Sequence, residues 1–383
     1  RSALDTSLQE NAYLTAATVE AANTARLDEM IGASTMLDES TLNIAEIVGN
    51  IKGQPAAQVF ADAWRAQTTD LITYSQSVSQ SPSSTPPADL DRQSGLIAAQ
   101  LAVGDFSQQA AETVLRQRTQ QELAVADSLA SHDANQTAAR LATLVSSSGD
   151  LSQPLAAGLA SQEPTLAPAA TDGADVDVRL QLESELLGHV YYTGAAIDAA
   201  ADNRAGDAQA YSSAAGYAAD DLASQLGDMY GADVGNGVAD RLRGQTEAML
   251  SAASGGDRHQ ASENVDTLRG QIDGLLSGAN QLLAPGLLTQ QLRASDQPML
   301  TAADAFQARD YATAYARLHE AAHQSQKPAE TLATTIVDRY PGRYLVLPLT
   351  PPGDHASGGG SLRSVGTGHG SRGGSHGSSG GHH

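Results

Sequence analysis

The segment LTAATVEAANTA, residues 14–25, recurs 178 positions later as YTGAAIDAAADN, residues 192–203. At this offset identical or similar residues coincide without a gap as far as residue 68: Tyr13 with Tyr191, Thr15 with Thr193, Val19 with Ile197, Glu20 with Asp198, Gly53 with Gly231, Thr68 with Thr246. After a loop the offset becomes 177, where Leu115, Asp127 and Leu141 meet Leu292, Asp304 and Leu318. An alignment this long with one deletion indicates two copies of one unit.

The repeated unit is predicted to be helical. Apolar residues recur three and four positions apart, as at Phe60, Ala63 and Trp64, which is the spacing of one helical face. Alanine, the best helix former, is abundant, and the alternating β-branched residues of strands are nearly absent. Gly53 and Gly231 are predicted to be helix C-caps.

The predicted fold is all-α, with two tandem homologous antiparallel helical bundles of about six helices each. Pro328 is placed near the first turn of the last helix, where proline is tolerated. The predicted segments are copy one at 1–160, a Pro/Ala linker at 161–177, copy two at 178–342, an extended apolar segment at 343–352 and a disordered Gly/Ser/His-rich tail at 353–383.

Composition excludes several classes of partner and chemistry. The chain has 383 residues and a net charge of −22, which disfavours binding to nucleic acid and to anionic membrane surfaces. It has no cysteine, so disulfides and thiolate metal sites are excluded, and no apolar run is long enough to span a membrane. The acidic, lysine-poor, Ala/Ser/Thr/Gln-rich surface and the first residue, Arg1, lead us to expect an exported bacterial protein that has been processed.

Residues 319–323, HEAAH, match the H-E-x-x-H pattern of zinc peptidases. In that pattern two histidines four positions apart bind zinc, and the glutamate acts as general base. A third protein ligand is also needed, and it usually lies downstream. The nearest downstream carboxylate, Glu330, is only seven residues away, at the predicted start of the next helix.

The helix that carries HEAAH has its own buried stripe, which the spacing assigns to Tyr311, Tyr315, Leu318 and Ala322. His319 then lies on the shoulder of this stripe and His323 towards solvent. In copy one the equivalents of His319, Glu320 and His323 are Ala142, Thr143 and Ser146. We therefore favour a surface helix, then metal binding without hydrolysis, and only third a peptidase.

Metal binding is the better functional interpretation of these histidines. The chain needs no cofactor, but imidazoles can bind Cu, Ni or Zn, either on the helices or on the flexible tail. His189, predicted to be an exposed or bundle-edge residue, is one further candidate ligand. The full set of candidate metal ligands is His319, His323, His189, His355, His369, His376, His382 and His383.

At LLGHVYYTGAAIDA, DDLASQLGDMYG and RDYATAYARLHEAA the chain resembles an uncharacterised family of exported bacterial α-helical bundle proteins. The resemblance covers most of copy two and, more weakly, copy one. It implies histidines on several helices: His189 and His319 match, whereas Gln245, Ser295 and Ala321 stand where the family has histidine. It implies fold and export rather than an activity.

From the sequence we expect a non-catalytic protein of the cell envelope or exterior that binds a protein partner or self-associates. Tandem bundles with small surface residues suit association between helices, and the apolar segment at 343–352 offers a docking strip. The alternatives are a metal-binding or metal-buffering protein and, last, a zinc peptidase.

Overall fold

The apolar periodicity of the sequence becomes a set of long helices in the computed structural model, which describes residues 1–81, 83–162 and 174–344. The helices of copy one are α1 (Ser2–Asn23), α2 (Leu27–Lys52), α3 (Gln54–Gln80), α4 (Asp89–Leu101), α5 (Gln108–Ala130), α6 (Ala134–Ser146) and α7 (Gly149–Gln162). Those of copy two are α8 (Ala174–Ala201), α9 (Ala205–Tyr230), α10 (Ala232–Ala253), α11 (Arg258–Ala279), α12 (Leu287–Gln307), α13 (Tyr311–Arg339) and the one-turn α14 (Pro341–Tyr344). The all-α fold class is confirmed.

The duplication is visible in the positions of the helices. Shifted by 178 residues, the bounds of α2 become those of α9, and shifted by 177 the start of α6 and the end of α7 become the start and end of α13. The turns repeat as well. Among the described residues, four other than glycine adopt the uncommon positive φ, and they fall at the same two offsets: Ala25 (56°) with Asn203 (58°), and His132 (56°) with Arg309 (59°).

The predicted caps at Gly53 and Gly231 are confirmed. Each glycine ends one helix and begins the next, at φ 88° and 98°, a conformation that side chains with a Cβ disfavour. The same two-helix corner therefore occurs in each copy, at the positions that the sequence alignment pairs.

The two copies pack against each other through their equivalent helices. Helix α1 contacts α8, α2 contacts α13, and α6 contacts α9. Helix α6 and the equivalent first half of α13 therefore each lie on the second helix of the other copy. One hydrophobic cluster spans both copies, with Tyr13 and Leu37 from copy one beside Tyr191, Phe306 and Tyr315 from copy two. The described residues between Arg1 and Tyr344 belong to one compact unit, which includes this shared core.

The last helix of copy two differs from the prediction at Pro328. This proline lies inside α13, which continues without a break to Arg339. Proline removes one helical hydrogen bond, but Leu332 and Ile336 beyond it are buried in the core of copy two and hold the second half in line. Copy one breaks between α6 and α7, at positions equivalent to residues 324–325, shortly before the position of Pro328.

The predicted C-terminal segments are described only at their start. Arg343 and Tyr344 are the last residues of α14 rather than extended chain, and residues 345–383 lie outside the described residues, as does most of the predicted linker. Among the helices described, none is both long and apolar enough to cross a membrane, as expected from the sequence.

Candidate functional site

His319 and His323 occupy one side of helix α13, four residues apart. Asp310 caps the helix by accepting a hydrogen bond from the Thr313 amide, and Tyr315 and Leu318 are buried, as the spacing predicts. The centroids of the two imidazole rings are 4.4 Å apart in an edge-to-face arrangement. The side chain of His319 is 13% exposed and that of His323 is 43% exposed. The predicted positions of the two histidines, one at the shoulder of the helix and one towards solvent, are confirmed.

A carboxylate from copy one completes this pair. Glu10, on α1, is buried, with its Oε1 2.7 Å from Nδ1 of His319 and its Oε2 3.7 Å from Nε2 of His323. Tyr191, on α8, donates a hydrogen bond of 2.5 Å to the same Oε1. One donor atom from each of Glu10, His319 and His323 lies within 4.8 Å of the others, an arrangement able to hold a metal ion.

The nearest downstream carboxylate, Glu330, does not reach the two histidines, and it does not begin a new helix as predicted. Glu330 lies further along the same helix, α13, where it pairs with Lys327 and Arg179. Glu10 instead precedes His319 by 309 residues and reaches it because α1 packs on α8 and α8 on α13. A pattern search near HEAAH therefore misses it.

Comparison of the two copies contains a signal for Glu10. At the offset of 178 its equivalent is Gly188, just as the equivalents of His319 and His323 are Ala142 and Ser146. The cluster thus combines one side chain of copy one with two of copy two, and all three equivalent positions hold small residues.

The electrostatic environment couples Glu10 to His319. Burial by itself lowers the pKa of His319, but the hydrogen bond and negative charge of Glu10, with a smaller contribution from Glu39, outweigh burial and raise it. Burial and the charge of Glu10 also raise the pKa of Tyr191 well above its usual range, so its hydroxyl stays protonated and holds the carboxylate in place. While its imidazole is protonated, His319 forms an ion pair with Glu10.

The arrangement fits a transition-metal ion. In a tetrahedral zinc site, two ligand atoms each about 2.1 Å from the ion are about 3.4 Å apart. Only small side-chain shifts would therefore bring one ligand atom each of Glu10, His319 and His323 onto one ion. The ion would replace the proton between Glu10 and His319. His319 also lines an open groove of about 530 Å³ between α2 and α13, where Glu39 lies 3.9 Å from its Nε2. This groove gives water or a fourth ligand access.

The glutamate of HEAAH does not belong to this group. Glu320 is partly exposed and pairs with Arg317 one turn earlier on α13. The carboxylate closest to both histidines is Glu10. The carboxylate beside the two histidines is therefore not the one that the H-E-x-x-H motif predicts.

Among the remaining predicted ligands, His189 is separate from this cluster. His189 is buried, which corrects the expectation of an exposed residue, because α9 covers it and its Nδ1 lies 3.2 Å from the carbonyl oxygen of Ala215. Burial lowers its pKa, although the hydrogen bond to Ala215 opposes this. The structure does not bring it to His319. The five tail histidines lie outside the described residues: His355, His369, His376, His382 and His383.

Two of the positions named by the family resemblance contact each other inside copy two. Ser295, on α12, donates a hydrogen bond of 3.0 Å to the carbonyl oxygen of Ala321 on α13, and both residues are buried. Gln245, on α10, is also buried. The chain as a whole has no match among family models, curated proteins or solved structures.

A buried charged network between the copies was not predicted. Arg204, on copy two, contacts Glu20 of copy one at 2.6 Å and Asp198 at 2.5 Å, while Arg26 contacts Glu29 at 2.7 Å and Asp198 at 3.2 Å. Arg26 and Arg204 stand 178 residues apart, as do Glu20 and Asp198. The alignment of the two copies therefore pairs these charged residues, and this pairing is the sequence signal for the network.

This network is structural rather than a second metal site. Burial, followed by the neighbouring carboxylates, raises the pKa of Glu29, and burial also raises that of Asp198. Although Glu29, Asp198 and Asp202 are close enough to hold a cation, the guanidinium of Arg26 already contacts all three.

The His319–Glu10 pair should make stability depend on pH. Because folding raises the pKa of His319, the pair contributes fully below the unfolded value of about 6.5 and is lost as pH rises through the higher folded value. In metal-free protein, His319→Asn should therefore cost more unfolding free energy at pH 6 than at pH 9, measured by urea denaturation. His259→Asn, at an exposed histidine, is the control. A cost for His319→Asn that is the same at both pH values would contradict the ion pair.

Proposed function

We propose that this chain is a metal-binding protein that holds one divalent transition-metal ion at Glu10, His319 and His323. The observation that carries the proposal is the convergence of these three side chains, from opposite ends of the chain, to within 4.8 Å. Two imidazoles and a carboxylate suit Zn²⁺, Cu²⁺ or Ni²⁺ better than Mg²⁺ or Ca²⁺, which prefer oxygen ligands.

The position of the ligands supports binding or buffering of the metal rather than hydrolysis. Glu320, the expected general base, pairs with Arg317, whereas Glu10 is held by Tyr191. Because α1 and α13 belong to different copies, a bound ion would also tie the copies together and stabilise the folded chain.

Two further functions from the sequence stay predictions. The tail histidines can supply a second and weaker site, and the chain can bind a protein partner or assemble with itself at the cell envelope. The described surface offers no specific observation that selects a partner, so metal binding is the better supported function.

A metal titration tests the proposal. The five tail histidines are replaced by asparagine in the full-length chain, and Zn²⁺, Cu²⁺ or Ni²⁺ is added during calorimetry. We expect one ion per chain, with affinity rising between pH 6 and pH 8 as His319 loses its proton. Glu320→Gln should bind as the parent does. Absence of a one-to-one site at pH 8 for all three metals would refute the proposal.

A further inference from the structure

A second cavity, of about 540 Å³, lies between α6 of copy one and α8 and α9 of copy two. In the repeat this is the equivalent of the space beside His319, since α6 corresponds to the first half of α13 and α9 to α2. The residues at the positions of Glu10, Glu39, His319 and His323 all line it: Gly188, Tyr217, Ala142 and Ser146. Gly188, Ala142 and Ser146 are small, and they leave room where the other half has the metal-ligating side chains of Glu10, His319 and His323.

The cavity has aromatic walls. Tyr13 and Tyr192 meet edge to face at 5.3 Å on its inner side, and Tyr217, one of the most exposed large side chains described, stands at its rim. An exposed tyrosine ring is available to stack on a ligand or to face a cation. The volume of the cavity falls in the range of sites that bind small organic molecules.

Two carboxylates face this space without a positive partner. Glu185, on α8, is half-buried, and Asp221, on α9, is exposed; neither forms an ion pair or hydrogen bond with the described residues, and no lysine, arginine or histidine lines the cavity. Burial, together with the charge of Asp221, raises the pKa of Glu185 to about 7. A cation in the cavity would relieve this repulsion.

We infer that this cavity binds a protonated organic amine that carries an aromatic or other apolar group. The ammonium would lie between Glu185 and Asp221, and the apolar group would pack on Tyr192 and Tyr217. The charge of the walls selects against anions, and the aromatic surface distinguishes this ligand from a hydrated metal ion. The site is independent of the metal centre at Glu10.

The test uses phenethylamine as the probe and 3-phenylpropionate as a ligand of similar ring and chain but opposite charge. Binding to the full-length chain is measured by calorimetry at pH 7.5 with a chelator present, so that the amine cannot coordinate a bound metal. We expect saturable one-to-one binding of the amine, and binding of the acid at least about tenfold weaker.

Variants locate the probe. Glu185→Gln with Asp221→Asn should weaken amine binding at least about tenfold, and Tyr217→Ala, at an exposed residue whose loss leaves the core intact, about threefold. Glu247→Gln, an exposed carboxylate on α10, is the matched control and should change nothing. No saturable binding, equal binding of the acid, or unchanged affinity in both the carboxylate variant and Tyr217→Ala would overturn the proposal.

Discussion

Glu10→Gln should lower the affinity of the chain for Zn²⁺ or Cu²⁺ by about 100-fold or more. The substitution keeps the shape of the side chain and can keep the Tyr191 hydrogen bond, but it removes the negative charge that His319 and His323 share. An amide oxygen is a much poorer ligand for these ions than a carboxylate, and loss of outer contacts alone costs 10- to 100-fold. The measurement is a competition titration with a chromophoric chelator on the variant lacking tail histidines.

Matched controls separate this effect from a general loss of charge. Glu39→Gln, at an exposed carboxylate 3.9 Å from His319, should weaken binding only a few-fold. Glu320→Gln should leave it unchanged. Wild-type affinity in Glu10→Gln would exclude Glu10 as a ligand, and an equal loss in all three variants would indicate a non-specific effect of charge.

Arg204→Ala should reduce the free energy of unfolding by about 3–5 kcal/mol at pH 7. The guanidinium contacts Glu20 from copy one and Asp198 from copy two, both largely buried. Without this guanidinium, the carboxylates of Glu20 and Asp198 are paired with Arg26 alone among the arginines of the described residues. One positive charge then faces two largely buried negative charges at the junction of the copies. Urea denaturation monitored by circular dichroism measures the loss.

The pH dependence of this loss identifies its cause. A protonated carboxyl costs less to bury than a carboxylate. The loss of unfolding free energy caused by Arg204→Ala should therefore become smaller as the pH falls from 8 to 5. Arg243→Ala is the control: Arg243 also contacts two aspartates, but it is 38% exposed and should cost less than about 1 kcal/mol. Equal losses in the two variants would show that the buried network adds nothing specific.

The sequence predicted most of the fold, since the signals involved are local or repeated. Apolar spacing identifies helical faces, Gly53 and Gly231 mark the same corner twice, and the two offsets align the helices of the copies. The local rules failed where tertiary packing decided the outcome. Pro328 lies within a helix because its second half is buried, and His189 is covered by α9.

For the candidate site, the sequence by itself determined the pair His319 and His323 on one side of a helix, since a four-residue spacing fixes that geometry. Only the tertiary structure decided that Glu10 is the third group. No local spacing relates residues 309 positions apart; the packing of α1, α8 and α13 in a shared core brings them together. The Glu10 carboxylate is buried and accepts a hydrogen bond from His319. This contact adds a third ligand-type group to the two histidines of the motif and makes the three a candidate metal centre.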